Sequence, residues 1–240
     1  MKNKKDLKTS LSNLKRKKKF IKVLRIVVII LLLIIVIAYI IMRIIYNRGN
    51  FSITLDKNLY FDRGIIIYDD PEYNVYHEEL LAGSVEYFDN ISGKWLPNNL
   101  DQTDGSHNGE NYVAYTFYIE NRGDMTSDYW GEVIIDDIIK NVDKAVRVRI
   151  YRNGEYTTYA KIGGNGKPEK DTVPFTSDSL ITTIHVEDFK PGDIDKYTVV
   201  MWMEGTDPDC NDNLLGGEIK VHMEFNSEFV EVLEKPRRKN

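Results

Sequence analysis

The side chains best equipped for chemistry are a single cysteine, Cys210, and four histidines, His77, His107, His185 and His222. A thiol activated by an imidazole would supply a nucleophile for acyl transfer. The setting of Cys210 opposes that use. It lies in the run DPDCND, among Asp207, Asp209 and Asp212, where negative charge raises a thiol pKa and suppresses the thiolate. A transpeptidase that pairs its cysteine with a later arginine would find only Arg237 and Arg238, at the end of the chain. The HExxH, GxSxG and phosphate-loop patterns are absent, as is any cysteine pair spaced to ligate a metal. The expectation is a protein without catalysis.

Oxygen ligation is the other chemistry on offer. Asp207, Asp209, Asn211 and Asn213 alternate like the opening of a calcium-binding loop, and with Asp207 first, Glu218 falls at the twelfth place, where a bidentate acid belongs. Asp212 stands sixth, where such a loop needs glycine for its sharp turn, and no flanking helices are expected. Asp101, Asp104, Ser106 and Asn108 form a second, looser group. Calcium is thus the one cofactor suggested, against the simpler reading that Asx residues here build turns. Trp95, Trp130 and Trp202 are candidate stacking surfaces for a cell-wall or other carbohydrate ligand, or else core residues.

These residues must be held by strands. Phe51 to Leu55, Gly64 to Tyr68, Val85 to Phe88 and Lys94 to Leu96 are short candidates, the last two forming a hairpin around Asp89–Gly93. Tyr112 to Glu120 is apolar on both alternating faces and predicts a central strand covered on both sides. Glu132 to Ile139 reads either as a strand with a break or as a short helix. Ala145 to Ile162 predicts a hairpin turning at Asn153-Gly154 in a type I′ turn, with a buried Val/Ile face and a solvated arginine face. Leu180 to Val186, Tyr197 to Glu204 and Glu218 to Phe225 complete the set, the last with one wet and one dry face. Pro97 to Asn111 and Gly163 to Pro174 read as loops. The fold class expected is all-β, an antiparallel β-sandwich or jelly roll, with little helix after the N-terminal segment.

That segment is the clearest feature of the chain. Ile26 to Met42 is unbroken apolar sequence, preceded by eleven lysines and arginines in the first twenty-five residues against one acid, Asp6. Counted from Leu24 to Tyr46 with Arg25 and Arg43 reaching the headgroups, a helix rises about 34 Å, enough to cross a hydrocarbon core of about 30 Å. Basic residues flank its N-terminal end far more than its C-terminal end, which predicts a cytoplasmic N-terminus and an extracytoplasmic remainder. The sequence after the run, RIIYNRGNFS, has no small-residue cleavage site, so the segment is expected to stay as an anchor at the plasma membrane. Residues 49–240 carry 19 basic and 36 acidic residues, a formal charge of −17 that the whole-chain value of −5 conceals. A basic block abutting a span is a topology signal and a contact for anionic lipid, and no nucleic-acid partner is expected. The expected organisation is a basic cytoplasmic tail (1–23), a transmembrane helix (24–46), an extracytoplasmic β-domain (47–230) and a charged tail (231–240). A lone cysteine outside the cytoplasm permits no intramolecular disulfide and fits a bacterial surface.

Two stretches carry a resemblance. Tyr197 to Phe225, YTVVMWMEGTDPDCNDNLLGGEIKVHMEF, and Tyr115 to Gly123, YTFYIENRG, resemble closing and central strands of the TasA/camelysin-type surface and matrix proteins of Gram-positive bacteria. The resemblance implies a jelly-roll-like surface protein without catalysis, whose partners are itself or other surface and matrix proteins. The uncleaved anchor departs from that family and puts release and free fibre assembly in doubt. The reading is a membrane-anchored surface protein with a structural or adhesive ectodomain, its strand edges available for β-augmentation. The alternatives are a cell-wall or carbohydrate-binding module and an accessory subunit of an envelope assembly.

Overall fold

The computed structural model describes residues 2–46, 51–83, 85 and 89–228. The chain divides into two units at residues 47 and 48. The first is one helix, α1 (Lys2–Tyr46). The basic stretch continues the apolar one without interruption, because Lys, Arg, Leu and Ala sustain a helix and neither Gly nor Pro occurs before residue 49. Within it Lys18–Ile41 is long and apolar enough to cross a membrane, and none of its side chains is buried.

The second unit is built from β1 (Phe51–Leu55), α2 (Lys57–Arg63), β2 (Ile65–Tyr68), β3 (Glu79–Leu81), β4 (Gly105–Ser106), β5 (Val113–Asn121), β6 (Ser127–Ile139), β7 (Val146–Arg152), β8 (Glu155–Ala160), β9 (Val173–Pro174), β10 (Leu180–Phe189), β11 (Ile194–Met203) and β12 (Glu218–Asn226). One sheet runs β10-β6-β12-β1-β3 and the other β2-β5-β11-β7-β8-β9, with β4 pairing β5 further along the edge that β2 occupies. A single apolar core takes side chains from both sheets, among them Ile53, Tyr129, Met223 and Phe225 from the first and Phe117, Val148, Ile150 and Val199 from the second. The unit is β-rich as expected, but its sheets are mixed. β1 runs parallel to β12, Phe51 opposite Val221 and Leu55 opposite Phe225, and β8 runs parallel to β9. The antiparallel expectation is corrected on this point: β1 and β12, joined across 162 residues, leave no local signal of direction, and the two-residue β9 is too short to show one.

Local chemistry explains most of the elements. β12 alternates buried Ile219, Val221, Met223 and Phe225 with half-buried Lys220, His222 and Glu224, as its period-two pattern dictates. Asn153 and Gly154 both take positive φ, 53° and 88°, as a type I′ hairpin requires. The ambiguous 132–139 stretch belongs to β6: Ile135 faces Val221 and Asp137 faces Lys220, so Asp136 is the extra residue of a β-bulge. A bulge shifts the alternation by one, which is why the sequence looked broken there. α2 was not expected. Its signals are local: the Asp56 side chain accepts from the Asn58 N–H at 2.8 Å, and Gly64 ends the helix at φ 69°. Lys94 to Leu96 is not a strand. Gly93–Trp95 is a 3-10 turn entered by the Ser92 side chain, which accepts from the Lys94 N–H. Its proposed partner Val85 to Phe88 falls at 86–88 outside the described residues, as does the 231–240 tail.

Candidate functional site

Two depressions mark the β-domain. A cleft of about 550 Å³ opens where β8 and β10 approach, lined by Ile150, Arg152, Tyr159 and Ile184 among others. Arg152 is already spent there: it binds Asp195 at 2.8 and 3.1 Å, and the Asp195 carboxylate also accepts from the Tyr129 hydroxyl and from Asn153. That network joins β6 of one sheet to β11 of the other through the core. Burial drives the Tyr129 and Tyr197 phenols upward, so both remain protonated donors.

The second depression, about 380 Å³, lies over β7 and β11 and is of the size of a small-ligand site. Its floor is the face of β7 that carries Arg147 and Arg149. That face is not solvated, which corrects the expectation. The reason is two covering segments distant in sequence. Leu96 and Leu100 pack on Ala114, Tyr151, Val200 and Trp202 in a second apolar cluster. From the other side the 163–172 loop brings Glu169 within 3.5 Å of Arg147.

The two arginines differ. Arg147 is 4% exposed and binds Asp207 at 2.5 Å as well as Glu169, a buried charge fully offset. Arg149 has no carboxylate within ion-pair distance among the described residues. Its Nε donates to the Thr158 hydroxyl at 3.0 Å, and its guanidinium lies 4.6 Å from the Tyr156 ring centre and 5.2 Å from that of Trp202. Glu204, which also lines the groove, is occupied. It accepts from the Trp202 indole at 3.0 Å, from Gly93 N–H at 2.8 Å and from the Thr206 hydroxyl at 2.5 Å. Burial raises its pKa, but these donors outweigh burial and hold it below the usual carboxylate range. Lys94 and Lys170 stand in the lining without an ion pair among the described residues.

The residues proposed as calcium ligands brace this groove. Asp207 is buried, its carboxylate taken by Arg147 and by the Asp209 N–H at 2.7 Å. Asp209 accepts from the Gly164 N–H at 3.0 Å, tying the 206–213 turn to the 163–172 loop. The Asn211 side chain accepts from the Asn213 N–H at 3.1 Å and opens a 3-10 turn. Asp207 and Asn211 thus each build a local turn, and among the described residues no group of three His, Cys, Asp or Glu side chains is arranged to hold a metal. Cys210 is half-buried, and burial with the charges of Asp207, Asp89 and Glu204 pushes its thiol up. The three tryptophans do not share a face. Trp202 is buried beneath the groove, Trp130 stacks on His185 in the other sheet at 3.8 Å, and Trp95 is 76% exposed.

Sequence reasoning placed Arg147 and Arg149 on one face but missed their use. The available signal was their alternation opposite Thr158 and Ala160 on β8; their acidic and aromatic neighbours come from segments up to 60 residues away.

No family model matches the chain, and no curated protein matches it. Among solved structures it is similar to a β-glucosidase from Kluyveromyces marxianus in complex with glucose, at 13% identity and a TM-score of 0.24, over 66% of this chain. A selenomethionine-labelled form of the β-glucosidase from the same organism gives 12% and 0.22 over 66% of this chain. The chain spans about a sixth of the length of those structures, covering 15% and 16% of them. At such TM-scores the likeness bears on neither fold nor activity.

Proposed function

We propose that this is a single-pass, membrane-anchored surface protein whose antiparallel-dominated β-sandwich works outside the cytoplasm by adhesive contact and without catalysis. The observation that carries the reading is the division of the chain: a basic helix whose unburied 24-residue Lys18–Ile41 segment is long and apolar enough to cross a membrane, and a β-domain in a segment of formal charge −17. Anionic lipid and the positive-inside rule hold such a helix with its N-terminus in the cytoplasm. The resemblance of the β5 and β11–β12 stretches to TasA/camelysin-type proteins supports a place at the cell surface among matrix partners. Catalysis finds little support in the groove, where Glu169, Glu204 and Asp207 each hold structural donors.

The mode of contact is weighed by the sheet edges. β3 and β9 are very short, β9 ends in Pro174, and β10 carries bulges and Asp188 at φ 56°. Such features blunt strand addition. The groove around Arg149 therefore favours the second reading, a module that binds a cell-wall or other carbohydrate ligand. Protease added to intact cells tests the placement. The expected result is digestion of the β-domain with the N-terminal tail protected; a β-domain cut only after lysis overturns it.

A further inference from the structure

We infer that the groove over β7 and β11 is a receptor for an oxyanion carried on a hydroxyl-rich chain, a sugar acid or a sugar or polyol phosphate, with the Arg149 guanidinium as its anchor. The inference deepens the carbohydrate-binding reading and rests on it.

Arg147 and Arg149 project from the same face of one strand, yet one is neutralised by two acids and the other by none among the described residues. A guanidinium held in the body of a protein without a counter-ion is a cost unless something else supplies the charge. Arg149 is also fixed in place: two rings lie within cation–π reach, Thr158 takes the Nε–H and the Tyr151 hydroxyl accepts from Nη1 at 3.5 Å, which leaves Nη2 and the second Nη1 hydrogen as the donors available to a ligand. A planar fork held in one orientation suits carboxylate and phosphate oxygens, and pre-ordering removes part of the entropy of binding.

The lining agrees. Of the four acids in the lining, Glu169 and Asp207 are committed to Arg147 and Glu204 to its four donors, while the exposed Asp171 forms no ion pair with Arg149 among the described residues. Lys94 and Lys170, from the two covering segments, add cations that have no ion pair among the described residues. A hydroxyl-rich ligand is matched by Ser92, Thr158 and Thr206 in the same lining. Tyr156, 58% exposed, lines the neighbouring cleft rather than this groove and serves here by holding Arg149 against its ring. The surroundings sharpen the claim: a segment of charge −17 repels polyanions at long range, so capture has to come from this local floor.

The test uses the full-length protein in nanodiscs of zwitterionic lipid, titrated by calorimetry with trigalacturonate, with a glycerol-phosphate trimer and with neutral cellotriose. At least one anionic ligand should bind about tenfold or more tighter than cellotriose, and its identity separates the carboxylate from the phosphate source. Arg149→Gln should erase that gap, whereas Arg122→Gln, at an arginine paired with Glu120, should leave it. Because Arg149 packs against two rings, a Lys94→Ala/Lys170→Ala variant is titrated in parallel and should weaken the anionic ligand about three- to tenfold with an unchanged melting temperature. Equal binding of all three ligands, or a gap that survives Arg149→Gln, overturns the oxyanion claim while leaving a glycan site. Absence of binding by all three overturns both.

Discussion

Glu132 sits on the outer face of β6, opposite Glu224 of β12 and Thr183 of β10, yet it is only 1% exposed and its Oε1 has no hydrogen-bond partner among the described residues. Burial, followed by the charge of Glu224, raises its pKa, while His222 pulls the other way. A carboxyl whose folded pKa is raised contributes most below its unfolded value; stability then falls as pH climbs from there through the folded value. Glu132→Gln should therefore stabilise the domain by about 1 kcal/mol at pH 8 and by nothing near pH 4, read from urea unfolding at both. A loss at pH 8 would show that the ionised form is the one that fits. His222 runs in the opposite sense. Burial lowers its pKa, but hydrogen bonds and charges from Asp136 and Glu224 outweigh that and bring it up to about 9. Its contribution is complete below an unfolded value of about 6.5 and disappears as pH rises through about 9. His222→Gln should flatten the stability profile between those limits, by roughly 1–2 kcal/mol given that Asp136 is half exposed. An unchanged slope would remove the imidazole from the account. At this scale the sequence was informative about type but not about partner: the polar face of β12 was legible from alternation, whereas the buried carboxyl opposite it depends on strand register.

Strands with local partners were readable for a physical reason. The β7–β8 hairpin closes over two residues whose positive φ is written into Asn-Gly, so nothing distant is needed to specify it. The parallel β1–β12 pair, the bulge at Asp136 and the covered face of β7 depend on segments brought together from far along the chain, and local patterning is silent about them. The groove belongs to this second class. One wall is the 3-10 turn Gly93–Trp95, and it touches the sheet through a glycine: a Cβ at position 93 would stand 2.8 Å from Cζ2 of Trp202 and 3.2 Å from Oε2 of Glu204. Trp202 is an inflexible ring in a packed cluster, so Gly93→Ala must lift the wall. The expected cost is about 1–3 kcal/mol of overpacking in urea unfolding, accompanied by a change in tryptophan emission as the indole loses its Glu204 acceptor. Unaltered stability and emission would mean that the wall does not rest on Trp202. Gly83, whose Cβ would meet only the side chains of Ser106 and Asn108 at 3.1 and 3.3 Å, is the matched control, with a smaller effect expected from Gly83→Ala.

Across the whole molecule, charge is distributed with a sharp division. Eleven cations precede the apolar stretch and a segment of −17 follows it, so a molecule inserted either way round meets very different energies. Near an anionic leaflet each Lys or Arg contributes about 1 kcal/mol, and retention of the cationic end is what fixes direction. Five of these cations are consecutive, Lys15 to Lys19, and removing them leaves the apolar length untouched. Replacing Lys15, Arg16, Lys17, Lys18 and Lys19 by Gln, with Lys or Arg placed at Asn47, Asn50 and Ser52, should therefore preserve insertion but divide the population between two orientations. In intact cells the protease-resistant fraction of the β-domain should rise from near zero to a substantial share, while the membrane-associated total stays constant. On the proposed topology and the proposed oxyanion site, ligand capture at the cell exterior should fall in proportion to the resistant fraction. If the domain remains fully digestible after the exchange, direction is set by something other than the flanking charges, and the −17 segment itself, or the folding of its two sheets, becomes the determinant to test.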